Sequence, residues 1–161
     1  MLRIMKRRNR VKPTLNLFEK IASENIALGT DFIVGHPGES EEIWQEALEN
    51  FKKYPLTHIH IFRFTPKKNT HSATLKQDVK GDVAKKRAKI LDEIVKKNNY
   101  NFRVKNKMPL NVHIENYKNG FYEGYDEFYN KMKIKTSKDL KGMWVRVKEY
   151  EIKDVNYAKI Q

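Results

Sequence analysis

The stretch Ala27-Leu28-Gly29-Thr30-Asp31-Phe32-Ile33-Val34-Gly35-His36-Pro37-Gly38-Glu39-Ser40 decides how the first hundred residues fold. Its first nine residues form a short apolar run that suits a buried strand. His36-Pro37-Gly38 then breaks any regular structure. Ser40 is placed to cap a helix, with Glu41 and Glu42 in its positive first turn and Ile43, Trp44, Ala47, Leu48 and Phe51 marking its buried side. Upstream, Pro13-Thr14 reads as a helix start with Thr14 as N-cap, and Leu17, Phe18, Ile21 and Ala22 follow at helical spacing. Downstream, residues 58–64 form a second strand, ended by Thr65-Pro66. Residues 81–104 form a long Lys-rich helix with Val83, Ala84, Ala88, Leu91, Ile94 and Val95 inward. Helix, strand, helix, strand, helix is an α/β pattern with parallel strands and crossover helices. Two strands do not make a sheet that buries both faces, so the α/β part reads as incomplete.

From about residue 106 the period changes to two. Leu110, Val112 and Ile114 alternate with polar residues, as do Met132 and Ile134, and Met143, Val145 and Val147. Asn119-Gly120, Gly124 and Lys141-Gly142 break the runs, which predicts a small antiparallel β-barrel over 106–161 after an α/β part over 1–105. Tyr117, Phe121, Tyr122, Tyr125, Phe128, Tyr129 and Trp144 are expected mostly in the barrel's core, with a few exposed. Such rings mixed with Lys and Arg are also what RNA-binding barrels use.

The 161 residues include 33 Lys and Arg against 20 Asp and Glu, a net charge of +13. This excess fits either a polyanionic partner or a lysine-rich solvated surface. Residues 1–12 alone hold six cations and no acid. Mean hydropathy is −0.79; no apolar run approaches a membrane span and no signal peptide is visible, so a soluble protein is expected. The chain has no cysteine, so it supplies no thiolate to a disulfide, zinc site or iron–sulfur cluster. Its five His residues show no metal-ligand spacing.

Two strand ends are candidate sites. The loop Gly35–Ser40 leaves a strand and enters a helix N-terminus, which is either a ligand site favouring an anion or a plain turn. Arg63 lies between Phe62 and Phe64. If those rings face the outer helices, Arg63 points inward and needs a partner, for which Asp31 is available. His58 and His60 share one strand face and read as polar strand positions.

The residues at 1–10, MLRIMKRRNR, resemble the "LkrMkRry" stretch of radical S-adenosylmethionine methylthiotransferases. Residues 30–40 are similar to that family's "TDIIVGFPGET", and residues 60–73 resemble its "HVFPYSPRKGTPAA". His36 replaces a usual Phe, Arg63 a Pro, Phe64 a Tyr, and Asn69 the Gly before Thr70. The resemblance implies the last part of a partial TIM-type barrel over 1–105, followed by an RNA-binding TRAM domain. It implies that Asp31, Ile33, Gly35, Phe62, Arg63 and Phe64 belong to the S-adenosylmethionine pocket, with Arg63, Lys67 and Lys68 toward the substrate. Arg7, Arg8, Arg10, Lys131, Lys133 and Arg146 are the expected tRNA contacts. The family's two 4Fe–4S clusters are bound by cysteines of a missing amino-terminal part, so this piece alone is expected to be inactive. The intact enzyme would act in the cytoplasm on a modified tRNA adenosine. The lead-in at 27–31 and the His60-Ile61-Phe62 triplet look most like the threonylcarbamoyl-adenosine type. The alternatives are isopentenyl-adenosine as the tRNA substrate, the family relative that acts on a ribosomal-protein aspartate, and a stand-alone RNA-binding module without catalysis.

Overall fold

The structure, a computed structural model, describes Ile4, Met5, Arg8 and residues 10–160. They form two compact units, one ending at Asn99 and the next beginning at Tyr100. The expected boundary at 105/106 coincides instead with the C-terminus of a helix that runs from Gly81 to Lys105.

The first unit contains α1 (Val11–Ser23), β1 (Gly29–Val34), α2 (Glu41–Phe51), β2 (His58–Arg63), a 3-10 turn (His71–Thr74) and the start of α3 (Gly81–Lys105). α1 begins earlier than expected. Arg10, with extended backbone and no side-chain cap, holds the N-cap position. Pro13 fits inside the first turn because its missing N–H has no intrahelical acceptor there. Thr14 is therefore not the cap; its hydroxyl donates back to the Arg10 carbonyl at 2.8 Å. Leu17 is exposed, leaving Phe18, Ile21 and Ala22 as the packing face. α2 behaves as read: the Ser40 hydroxyl accepts from the Ile43 N–H at 3.3 Å, and Trp44, Leu48 and Phe51 are buried.

β1 and β2 pair in parallel, from Gly29 opposite His58 to Val34 opposite Arg63. Phe32, Val34, Ile59 and Ile61 pack into a core with Trp44, Leu48, Phe51, Leu91 and Val95. The alternate residues Asp31, Ile33, His60 and Phe62 stand on the other face of the sheet, where β1 alternates exposed and packed positions. β1, read as a buried strand, is fully buried only at Val34. Ile33 is 39% and Phe62 52% exposed. Phe62 does not face the helices, so the premise that would have turned Arg63 inward does not hold. Arg63 is exposed at the strand end.

The second unit is a curled six-stranded sheet: β3 (Leu110–Lys118), β4 (Phe121–Asp126), β5 (Lys131–Lys135), β6 (Trp144–Val147), β7 (Glu151–Ile152) and β8 (Asn156–Lys159), ordered β6-β3-β4-β5-β8-β7. Asn119 and Gly120, both with positive φ (51° and 82°), make the tight β3–β4 turn that an Asn-Gly pair favours. The sheet is not wholly antiparallel, because β5 and β8 run parallel. Leu110, Val112, Ile114, Met132, Ile134 and Val147 form the core as read, whereas Met143 is exposed just before β6. Beneath this core Asp126 accepts from the amides of Phe128 (2.9 Å) and Asn130 (2.8 Å). Asn156, also buried, accepts from Arg103 at 2.9 Å.

The seven rings expected mainly in that core are not there. None is buried, and only Tyr122 and Phe128 pack partly against it. The aliphatic residues of period two already fill the interior, which sends Phe121, Tyr125 and Trp144 to the outward strand positions.

Candidate functional site

The β1–α2 loop closes on itself through Glu39. Its carboxylate accepts from the Gly35 amide and, at 3.2 Å, from the His36 amide. The Gly38 amide donates to Asp78 at 3.1 Å and the Glu39 amide to the His36 carbonyl at 3.0 Å. Pro37 has no N–H, so every backbone donor from Gly35 to Glu39 is already used. The loop's anion is its own glutamate, so of the two readings of this loop these amides favour the self-satisfied turn. Burial pushes the Glu39 pKa up, against the pull of the Gly35 amide and of Arg87. Arg87, buried on α3, lies 3.3 Å from the Glu39 carboxylate and 3.0 Å from that of Glu41, with its guanidinium over the Trp44 ring. Gly35 is required twice over: its φ is +75°, and a Cβ there would come within 2.8 Å of the Ala84 Cβ.

Beside this loop, at the carboxyl ends of β1 and β2, is a groove of about 420 Å³. Of the residues named from sequence it brings together Ile33, Phe62, Arg63, Phe64 and Lys67. Asp31, Gly35 and Lys68 do not line it. Asp31 pairs with His60, its register neighbour, at 3.3 Å, and not with Arg63. Met5, His36, Thr65, Thr70 and Ser72 complete the lining and were not singled out as site residues. For His36 a signal existed in its departure from the family's Phe. The ring is buried, bonded to Ser72 Oγ at 2.8 Å through Nε2, and edge-on to Phe64 at 4.8 Å. Asn69 adopts φ 66°, a left-handed geometry that Gly tolerates and Asn is the usual substitute for. It lies in the turn that carries Lys67 and Lys68.

Of the expected RNA contacts, Arg7 lies outside the described residues, while Arg8 and Arg10 are exposed. Lys131 and Lys133 both approach Glu123, at 2.6 and 3.8 Å, and the bond from Lys131 holds that carboxyl below its ordinary range. Arg146, half exposed, is 3.9 Å from Glu127. Among the described residues no group of His, Asp and Glu is arranged to hold a metal, and no helix is long and apolar enough to cross a membrane.

A two-stranded parallel unit with a groove at its strand ends, followed by a small curled sheet, is the class of molecule these features define. No family model matches the chain. A putative methylthiotransferase of Helicobacter pylori (strain J99) is 43% identical over 157 residues, 96% of this chain and 38% of the relative. The threonylcarbamoyladenosine tRNA methylthiotransferase of Aquifex aeolicus is 40% identical over 81 residues, 50% of this chain and 20% of the relative. The tRNA-2-methylthio-N(6)-dimethylallyladenosine synthase of Clostridium tetani is 39% identical over 100 residues, 59% of this chain and 22% of the relative. Other relatives are ribosomal-protein methylthiotransferases. The chain belongs to the methylthiotransferase family and matches the carboxy-terminal part of its relatives, spanning 38% of the length of the first two.

Proposed function

We propose that the chain is the carboxy-terminal part of a tRNA methylthiotransferase that adds a 2-methylthio group to threonylcarbamoyl-adenosine in the cytoplasm. In this reading the first unit completes a partial TIM-type barrel, and the bare face of β1 and β2 is a wall that the remaining strands cover. The second unit is a TRAM-like tRNA grip that uses Lys131, Lys133 and Arg146, and Arg8 and Arg10 of the first unit are separate tRNA contacts.

One observation carries the substrate assignment: Arg63 and Lys67 line the same groove as the apolar Ile33 and Phe62. Threonylcarbamoyl ends in a carboxylate, which a guanidinium can take in two parallel hydrogen bonds. An isopentenyl group would instead want apolar residues at that rim. The groove also fits S-adenosylmethionine, since Ile33 and Phe62 offer an apolar surface for an adenosine and Arg63 a cation for a carboxylate. When bound, that cofactor supplies the radical chemistry of the family. The cluster thiolates belong to another part of the enzyme, as this chain has no cysteine. Its own residues wall the pocket, hold a carboxylate and bind the RNA.

The test is nucleoside mass spectrometry of tRNA from a strain lacking the full-length gene. Loss of the methylthio group from threonylcarbamoyl-adenosine alone is expected. Loss from isopentenyl-adenosine with the other nucleoside untouched, or full modification of both, overturns the assignment.

A further inference from the structure

The outward face of the second unit's sheet carries a row of rings that its core does not use. Register places His113 of β3 opposite both Trp144 of β6 and Tyr125 of β4, so three strands present neighbouring rings on one face. The His113 and Trp144 rings are 5.1 Å apart. Tyr129, from the β4–β5 turn, lies nearly parallel over Tyr125, with centroids 4.7 Å apart and planes 14° from coplanar. Lys131 is opposite Tyr125, and Arg146 is two residues from Trp144 on the same face.

Tyr129 is the informative member. Its φ is 61°, a left-handed conformation that a bulky side chain rarely adopts. The turn enforces it: the Tyr129 amide donates to the Asp126 carbonyl at 2.9 Å, and the Asp126 carboxylate holds the amides on either side. Glycine would suit that backbone better. Tyr129 is 66% and Trp144 68% exposed, so core burial offsets neither the strain nor the apolar exposure.

We infer that Trp144, His113, Tyr125 and Tyr129 form a stacking platform for unpaired bases of an RNA strand whose phosphates run along Arg146 and Lys131. This rests on the RNA-binding role proposed above and names the surface and the kind of RNA. The chemistry favours this occupant: every base offers a π-face to a flat ring, and residues 100–161 carry thirteen Lys and Arg against eight Asp and Glu.

The experiment measures binding of the full chain to a single-stranded RNA oligonucleotide and to an RNA duplex across a salt series, for wild type, Tyr129→Gly and Trp144→Ala. Wild type should prefer the single strand. Tyr129→Gly should melt no lower than wild type, yet bind the single strand about tenfold more weakly. Its salt dependence should be unchanged, because no charge is lost. Trp144→Ala, outside the core, should weaken binding similarly. If wild type binds RNA but both variants bind as well as it does, the platform is wrong and the face serves a protein partner or none. Equal affinity for single strand and duplex also rejects unpaired bases as its ligand. If wild type binds neither RNA, the underlying RNA-binding role fails.

Discussion

The sheets of the two units use the same alternation to opposite ends. In the second unit, aliphatic side chains point into the curl, while rings, Lys and Arg point out. In the first, the packed face is apolar, with Phe32 among its aliphatic residues, and the other face still shows Ile33 and Phe62 beside an exposed Asp31–His60 pair. A strand face that stays partly apolar and exposed among the described residues suits the inner wall proposed for it, whereas a face of rings and cations suits a contact surface. The comparison teaches that exposure alone does not define a site; what shares the exposed face does. It also separates the roles proposed for the two units, pocket wall in one and RNA grip in the other.

The supports beneath these surfaces differ as well, and that difference can be broken by mutation. The first unit's site loop hangs on a buried charge. Arg87 holds Glu39, and Glu39 holds the amides of Gly35 and His36 beside the groove. Arg87→Met would leave Glu39 buried without its counterion, at a cost of about 3–5 kcal/mol. Urea unfolding followed by the buried Trp44, in a Trp144→Phe background, measures it. A loss below about 1 kcal/mol, the scale of an exposed pair, would mean the network is not a support.

The second unit's support is a carboxyl held by amides. Burial is the largest influence on Asp126 and raises its pKa from the ordinary 3.8, despite the amides of Asn130 and Phe128. The folded state then holds this proton more tightly than the unfolded chain does. Its contribution to stability is therefore greatest below 3.8 and is lost as pH rises through the raised folded value. Asp126→Asn, which keeps an acceptor for both amides, should flatten that part of the profile. Thermal melts across the acidic range, followed by methyl signals of Val112 and Ile134, check it. A steeper slope in the variant would contradict the account.

Much of this was legible in the sequence, for reasons that can be traced to particular residues. The period of 3.6 found the packed faces of α2 and α3, and the period of two found Leu110, Val112, Ile114, Met132 and Ile134. Ser40 and Asn119-Gly120 announced a cap and a turn because each serves one local geometry. What was not legible depended on contacts distant in sequence. Nothing local says that Glu39 will fill the loop that follows β1, since that requires Arg87 from α3, 48 residues on. The start of α1 was missed because a Pro-Thr pair suggests an N-terminus, but the first turn tolerates Pro anywhere within it. The outward rings were assigned to the core because aromatic residues usually bury; here smaller aliphatic residues had already filled the available volume. In the site, of the residues that the family resemblance grouped, one groove leaves out Asp31, Gly35 and Lys68 and brings together Ile33, Phe62, Arg63, Phe64 and Lys67. His36 and Ser72 joined them through a contact 36 residues long.

The central claim is that the groove at the ends of β1 and β2 serves a carboxylate-bearing substrate through Arg63. It is tested most directly by replacing the chromosomal gene with a full-length copy carrying Arg63→Leu and quantifying 2-methylthio-threonylcarbamoyl-adenosine in tRNA. Arg63 is exposed, so the substitution should leave the protein folded and at its usual abundance, which immunoblotting verifies. The account predicts a fall of about tenfold or more in that nucleoside, the worth of a charge-assisted hydrogen bond pair. Undiminished modification by a normally abundant Arg63→Leu enzyme would contradict it.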